Sequence, residues 1–311
     1  MIIGDISLGS KKIDFLKRKN FKNQKKFKRI LNKTGIRTVY DSNSIENSFT
    51  LAKKVGKKVL KKIDQNVESL FFVSQSHISR IPSSGSLLHE SLNLNKNCFV
   101  MDIVQGCSGF PYALIVAVNL INSGSVKNAL IICSETYRKY LNKKDVTCGS
   151  VFSDGASAIF INKNNLPKVL STFYYTDGSG AKNLCLKKLK GKNETLFMHG
   201  SNVFTFTNQN IPLAVTSLLR RSKLQLHDIS YFIFHQASKI VLDSLRDKLK
   251  IPQKKFYNKI SNIGNTVSST IPIALVDAYK RKILPINKPV MIIGFGVGYS
   301  VCGGIFKFDK K

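Results

Sequence analysis

Cys98-Phe-Val-Met-Asp-Ile-Val-Gln-Gly-Cys107-Ser-Gly-Phe-Pro-Tyr-Ala-Leu-Ile-Val-Ala-Val-Asn-Leu-Ile121, followed after a polar turn by Asn128-Ala-Leu-Ile-Ile-Cys133, is the stretch that decides the fold. Its first six residues read as an apolar strand. Gly106 and Gly109 then permit a tight strand-to-helix turn and close approach of a substrate. From Cys107 to Ile121 the apolar residues are nearly continuous, which suits a helix buried between layers rather than one lying on a surface. The chain returns as a second strand at Asn128. Strand, buried helix and strand in that order make a βαβ unit, with its implied parallel pairing.

The same order extends outward. Val67-Glu-Ser-Leu-Phe-Phe-Val-Ser74 reads as a strand before this unit, and Ala156-Ser-Ala-Ile-Phe-Ile161 as one after it, behind a Ser-Asp-Gly turn. The second half repeats the scheme. Asp228-Ile-Ser-Tyr-Phe-Ile-Phe234 and Phe256-Tyr-Asn-Lys-Ile260 read as strands. The turn Ile263-Gly-Asn265-Thr266 and a helix to about Tyr279 follow, then strands at Pro289-Val-Met-Ile-Ile-Gly294 and Gly303-Gly-Ile-Phe-Lys-Phe308. Alternating strand and helix predict an α/β protein with mostly parallel sheet and helices on its faces. Two pseudo-duplicated βαβ halves, 1–165 and 166–311, predict a five-layer αβαβα arrangement. Ligands in such sheets gather at strand carboxyl ends. There Cys107, His235 and Asn265 all fall, the first in one half and the other two in the second.

Each of these residues has an ordinary reading beside a chemical one. A cysteine at a helix start meets unpaired N–H groups and the helix dipole, which depress its pKa and raise thiolate nucleophilicity; a tight turn also favours its small volume. His235 ends the apolar run Tyr231-Phe-Ile-Phe234 and reads either as a satisfied core histidine or as a catalytic group at a strand tip. Asn265 suits a left-handed turn as well as a site. Gly294-Phe-Gly296-Val297-Gly298-Tyr-Ser300 is a glycine-rich loop, but no helix and no acidic residue follow at the spacing a dinucleotide site needs. Backbone N–H groups aimed into a site suit an oxyanion hole instead.

Composition bounds the alternatives. With 311 residues, 43% hydrophobic and 22% charged, the chain is an ordinary globular one. The apolar run near Phe110 to Ile121 falls short of the ~20 residues of a membrane span. The amino terminus lacks the pattern of a signal peptide, so a cytoplasmic enzyme is expected. Six cysteines without C-x-x-C spacing argue against a zinc site or a disulfide framework, and Cys98 and Cys133 read as small core residues. The net charge of +31 invites a nucleic-acid reading. The lysines are spread along the chain among Asn and Ile, without a basic motif of aromatic spacing, so no nucleic-acid partner is expected. A basic surface still steers acidic partners.

Taken together, Lys33-Thr-Gly-Ile-Arg37, Cys107-Ser-Gly-Phe110, Phe152-Ser-Asp-Gly-Ala156, His235-Gln-Ala237, Gly264-Asn265-Thr266 and Gly294-Phe-Gly-Val-Gly298 resemble, in order and spacing, the β-ketoacyl-acyl-carrier-protein synthase III family. The resemblance spans almost the whole chain. It implies the thiolase fold, a homodimer, and an acyltransferase of fatty acid biosynthesis and lipid metabolism with no metal or redox cofactor. Cys107 would attack an acyl-CoA, with the N–H groups of Cys107 and Val297 holding the oxyanion. His235 and Asn265 would stabilise the enolate formed when malonyl-acyl-carrier-protein loses CO₂. Acyl carrier protein is the implied partner, and Lys239, Arg246 and Lys248 on the helix after His235 are the expected docking face.

The departures from the family pattern also carry expectations. Ser238 stands where relatives often have Asn, and is expected to bond locally. The chain has no tryptophan to stack on the CoA adenine; Arg29 lies in that region. Arg37 and Asn202 are candidate CoA contacts. Ile81 occupies a stretch that lines the partner's acyl pocket in relatives. These differences point to a specialised member, serving surface sugars or a secondary metabolite. Three rivals share the motifs: a non-condensing acyltransferase that passes the acyl group to an alcohol or amine, a degradative thiolase using Cys302 as base, and a non-catalytic carrier-binding subunit.

Overall fold

The computed structural model describes residues 2–17, 24–142, 145–188 and 194–309. The first half contributes β1 (Ile3–Leu8), β2 (Lys11–Asp14), α1 (Gln24–Thr34), β3 (Thr38–Asp41), α2 (Ser48–Leu60), β4 (Ser69–Val73), α3 (Ser84–Ser91) and β5 (Phe99–Ile103). Next come α4 (Gly109–Asn122), β6 (Asn128–Glu135), α5 (Val146–Gly149) and β7 (Gly155–Asn162). The second half holds β8 (Lys168–Thr176), β9 (Leu184–Lys188), β10 (Glu194–Met198), α6 (Gly200–Ser222) and β11 (Tyr231–Phe234). It ends with α7 (Lys239–Lys248), α8 (Thr270–Lys280), β12 (Pro289–Gly296) and β13 (Ser300–Lys307).

The strands form a five-stranded sheet of order β1-β7-β6-β4-β5 and a four-stranded sheet of order β11-β12-β13-β8. The buried helix read from the sequence is α4, which packs with α8 between the two sheets. Phe110, Leu114, Val118 and Ile121 of α4 and Ile271 and Leu275 of α8 meet Phe71 and Ile131 of one sheet and Ile292 and Phe306 of the other. Each such side chain taken from water contributes roughly 1.5–3 kcal/mol. That explains why α4 is apolar on all sides: it has a sheet on two faces. Helices α2 and α3 cover the outer face of the first sheet, and α6 and α7 that of the second. The order is helix, sheet, helix, sheet, helix. No described helix is long and apolar enough to cross a membrane.

Two expectations are corrected. The sheets are mixed rather than mostly parallel: β4 pairs parallel with β5 and β6, and β11 with β12, while β1–β7, β6–β7, β12–β13 and β13–β8 are antiparallel. Phe256–Ile260 is not a strand. Phe256 makes a single bridge to Phe232, and the chain then tightens into a 3₁₀ turn at Ile260–Asn262. Only Phe256 and Tyr257 bury aromatic rings there, and Asn258 and Lys259 are exposed, so the alternation is too short to sustain a ladder. Cys133 is buried in β6 as expected, whereas Cys98 is only half-buried.

Candidate active site

Cys107 sits in a 3₁₀ turn, Gly106–Ser108, that runs directly into α4. Gly106 has φ +49°, a left-handed conformation that disfavours a side chain, and Gln75 fills the space where one would go. Across from it the glycine-rich loop closes over the sulfur. A Cβ on Gly296 would lie 3.0 Å from Cys107 Sγ, so only glycine lets this backbone approach so closely. Ser108 Oγ and Ser300 Oγ are 2.7 Å apart, and Ser300 Oγ donates to the Val297 carbonyl at 2.8 Å, which ties the cysteine turn to that loop. The backbone N–H groups of Val297 and of Cys107 itself favour the ionised form of the sulfur.

His235 follows β11, and its N–H bonds the Ile293 carbonyl at 2.9 Å. Its Nδ1 lies 2.7 Å from Thr270 Oγ1, and that hydroxyl donates to the Val267 carbonyl at 3.0 Å. Asn265 is held from both sides of its peptide: its N–H bonds the Val151 carbonyl, and its carbonyl accepts from Ser153 N–H, each at 2.9 Å. Val267 N–H donates to Asn265 Oδ1 at 2.8 Å, which turns Nδ2 toward His235 Nε2, 3.4 Å away. With an amide N–H₂ facing Nε2 and the Thr270 hydroxyl hydrogen committed to Val267, the network assigns the resting ring proton to Nδ1 and leaves Nε2 with a lone pair. Asp154 of the Ser-Asp-Gly turn is fully buried and accepts from Arg138 N–H and Ser42 N–H, fixing the segment on which Asn265 rests.

Cys107, His235 and Asn265, drawn from both halves, line one cavity of about 470 Å³. Phe152, Leu184, Met198, Phe204, Val241 and Phe295 make its apolar wall. Burial, and then the nearby Glu135 carboxylate, push the Cys107 thiol up to about 12. In place of the depressed pKa expected for a cysteine at a helix start, removal from water outweighs the two N–H groups. Burial lowers His235 to about 3, so its ring is neutral across the physiological range.

The other expected residues fall elsewhere. Ile30, Lys33 and Thr34 are the face of α1 that lines the cavity. Arg29 is exposed and off that face, and Arg37 lines a separate cleft of about 760 Å³ with Lys28, Asn32 and Lys239. On α6 the cavity takes Ser201, Val203, Phe204 and Thr207, while Asn202 Nδ2 bonds Asn183 Oδ1 at 2.8 Å. A helix turns about 100° per residue, so a register one position off leaves the site. Ser238 lines the cavity, but its side chain does not cap α7, contrary to the expected local bond. Ile81 is 94% exposed in the loop before α3. Lys239 pairs with Asp243, Arg246 with Asp243 and Asp247, and Lys248 Nζ donates to the Asn208 carbonyl. Cys302 is fully buried on β13, in the core between the sheets, and is not among the residues lining the cavity. Thr270, which no sequence signal singled out, is the partner of the catalytic-candidate imidazole.

The family model for 3-oxoacyl-[acyl-carrier-protein] synthase III matches residues 101–178, and its C-terminal counterpart matches residues 219–308. The beta-ketoacyl-[acyl-carrier-protein] synthase III of Clostridioides difficile (strain 630) is 30% identical over 295 residues, spanning 90% of this chain and 89% of that protein. The enzyme of the same name from Clostridium novyi (strain NT) is 32% identical over 285 residues, 87% of each chain. A solved 3-oxoacyl-(acyl-carrier-protein) synthase III superimposes with a TM-score of 0.89 at 28% identity over 98% of both chains. The Burkholderia xenovorans LB400 synthase does so at 27% identity with the same TM-score of 0.89, covering 98% of this chain and 92% of that one. The five layers are thus those of the thiolase fold.

Proposed function

This chain belongs to the β-ketoacyl-acyl-carrier-protein synthase III family, and on that premise we propose that it joins an acyl group from acyl-CoA to malonyl-acyl-carrier-protein by decarboxylative Claisen condensation. It is an acyltransferase of fatty acid biosynthesis. The reading rests on one observation above all: thiol, imidazole and carboxamide, drawn from both halves, line one cavity.

Each group has a role in that reaction. An acyl-CoA carbonyl entering beside the sulfur places its oxygen against the N–H groups of Cys107 and Val297. Cys107 Sγ bonds the carbonyl carbon as its proton moves to the bare Nε2 of His235. The tetrahedral adduct collapses, the carbon–sulfur bond to CoA breaks, and His235 passes the proton to the departing sulfur. Free CoA and acyl-Cys107 result. When malonyl-carrier protein follows, its thioester carbonyl faces Asn265 Nδ2 and the His235 ring. For this half-reaction the ring gives up its Nδ1 proton and takes one on Nε2 by exchange with solvent, and the Thr270 hydroxyl turns from the Val267 carbonyl to donate to the bare Nδ1. Loss of CO₂ leaves an enolate held by these two donors. Its carbon attacks the acyl carbonyl, the bond to Cys107 breaks, and the sulfur is reprotonated from solvent. Decarboxylation drives the step, so the chemistry calls for no metal or redox cofactor.

The remaining assignments are part of the same proposal. Residues 1–165 carry the nucleophile and 166–311 the decarboxylation pair; the boundary falls between β7 and β8. The enzyme is cytoplasmic and works as a homodimer: β5 is an edge strand whose neighbourhood exposes Phe99, Met101, Val104 and Ile81, an apolar strip that a second copy would cover. The carrier protein docks beside Lys239, Arg246 and Lys248. The condensing reading is favoured over transfer to an alcohol or amine, and the seat of Cys302 in the core speaks against thiolase chemistry. Purified protein given acyl-CoA and malonyl-carrier protein is expected to release CO₂ and β-ketoacyl product. Absence of both, with transfer to an alcohol or amine instead, would overturn the reading.

A further inference from the structure

Glu135, the last residue of β6, is fully buried, and the reaction just described does not use it. Its carboxyl accepts from three directions. Gln75 N–H, two residues past β4, lies 3.1 Å from Oε1 and 3.2 Å from Oε2. Ser76 Oγ donates to Oε2 at 2.7 Å, and Ser268 Oγ donates to Oε1 at 2.9 Å. These partners lead to both halves of the site. The Gln75 side chain packs against Gly106, the residue before the nucleophile, and accepts from the Tyr137 hydroxyl. Ser268 adjoins Val267, whose N–H fixes the Asn265 carboxamide.

We propose that Glu135 is the positioning residue that couples the Cys107 turn to the Asn265 turn, and that its charge sets the reactivity of the Cys107 thiol. The carboxyl reaches both the Gln75 segment after β4 and the 3₁₀ turn carrying Ser268, beside the direct bond from Ser268 Oγ to the Val73 carbonyl at 3.3 Å. The titratable groups that feel it are Cys107, Cys133, Tyr137 and Tyr140, and none of them is cationic. His77, two residues past Gln75, pairs with Asp102 instead. Burial raises Glu135 to about 7 against the opposing hydrogen bonds from Ser76, Ser268 and Gln75. Its proton is therefore exchanged near neutrality. Neutral Glu135 leaves the thiol easier to ionise; charged Glu135 holds the thiol up.

The inference rests on Cys107 being the nucleophile. Its test reads the thiol directly and so stands apart from the fate of the condensation. Glu135→Gln keeps the shape and an acceptor oxygen but removes the charge. Alkylation of Cys107 by iodoacetamide, followed by peptide mass from pH 6 to 9, is the measurement. The variant is expected to alkylate about threefold or more faster than the unaltered protein above pH 7.5, with the two curves converging below pH 6. Glu135→Ala, checked for folding by near-ultraviolet dichroism, is expected to lose decarboxylation more than acyl transfer. Superimposable pH curves for Glu135→Gln and the unaltered protein, or a uniform offset at all pH values, would overturn the proposal.

Discussion

At the scale of single residues, the site works by directing donors. Asn265 Oδ1 is occupied by Val267 N–H, so only its Nδ2 is left for substrate. In the proposed mechanism Thr270, 2.7 Å from His235 Nδ1, lets one imidazole act as acceptor in the first half-reaction and donor in the second. Thr270→Val retains the volume and removes the hydroxyl. It should slow decarboxylation by about 10²-fold while acyl transfer to Cys107 falls much less, read by CO₂ release against adduct formation. Equal loss of both would remove Thr270 from the mechanism. Cys107, His235 and Asn265 each had an ordinary local reading, and became legible through the ordered motifs that carry the family resemblance. Thr270 and Glu135 were not. A threonine entering a helix and a glutamate ending a strand are ordinary locally, and their partners lie 35 and 59–60 residues away for His235 and for Gln75 and Ser76.

Among the elements, α4 and α8 fix the chemistry because both begin at the same level between the sheets, bringing Cys107 and the Asn265 turn together. The first was readable from its all-round apolarity, and so was the strand before it. The strand expected at Phe256 failed because only two of its residues bury a ring, while Arg29 on α1 and Asn202 on α6 stand one helical position off the faces that line the cavity. β5 is the element left open. Met101→Lys puts a charge in its exposed apolar strip without touching the cavity. Sedimentation should show the unaltered protein as a dimer and the variant shifted toward monomer. A variant as dimeric as the unaltered protein would place the interface elsewhere.

For the whole molecule, two buried titratable groups make stability depend on pH in opposite senses. Glu135 is raised from 4.5 to about 7, so it binds a proton in the folded state where the unfolded chain has lost it, and its contribution falls as pH rises between those values. His235 is lowered from 6.5 to about 3, so the unfolded chain binds the proton first, and its contribution is lost as pH falls below 6.5. Between pH 4.5 and 6.5 the two nearly cancel. Relative to the unaltered protein, Glu135→Gln should therefore tilt the stability profile upward with pH by about 1.4 kcal/mol per unit, and His235→Gln downward by a similar amount. Denaturant titrations across this window check both; parallel profiles for all three proteins would contradict the assignment of these groups. Neither slope was legible in the sequence, since each comes from burial that only the assembled sandwich creates.

The most direct measurement of the central claim is intact-protein mass during a two-step addition. Acyl-CoA alone should add one acyl group, mapped to the Cys107 peptide, and subsequent malonyl-carrier protein should clear it as CO₂ appears. Asn265→Ala should acquire the same adduct and keep it. An adduct on another residue, no adduct at all, or clearance in Asn265→Ala as fast as in the unaltered protein would contradict the account.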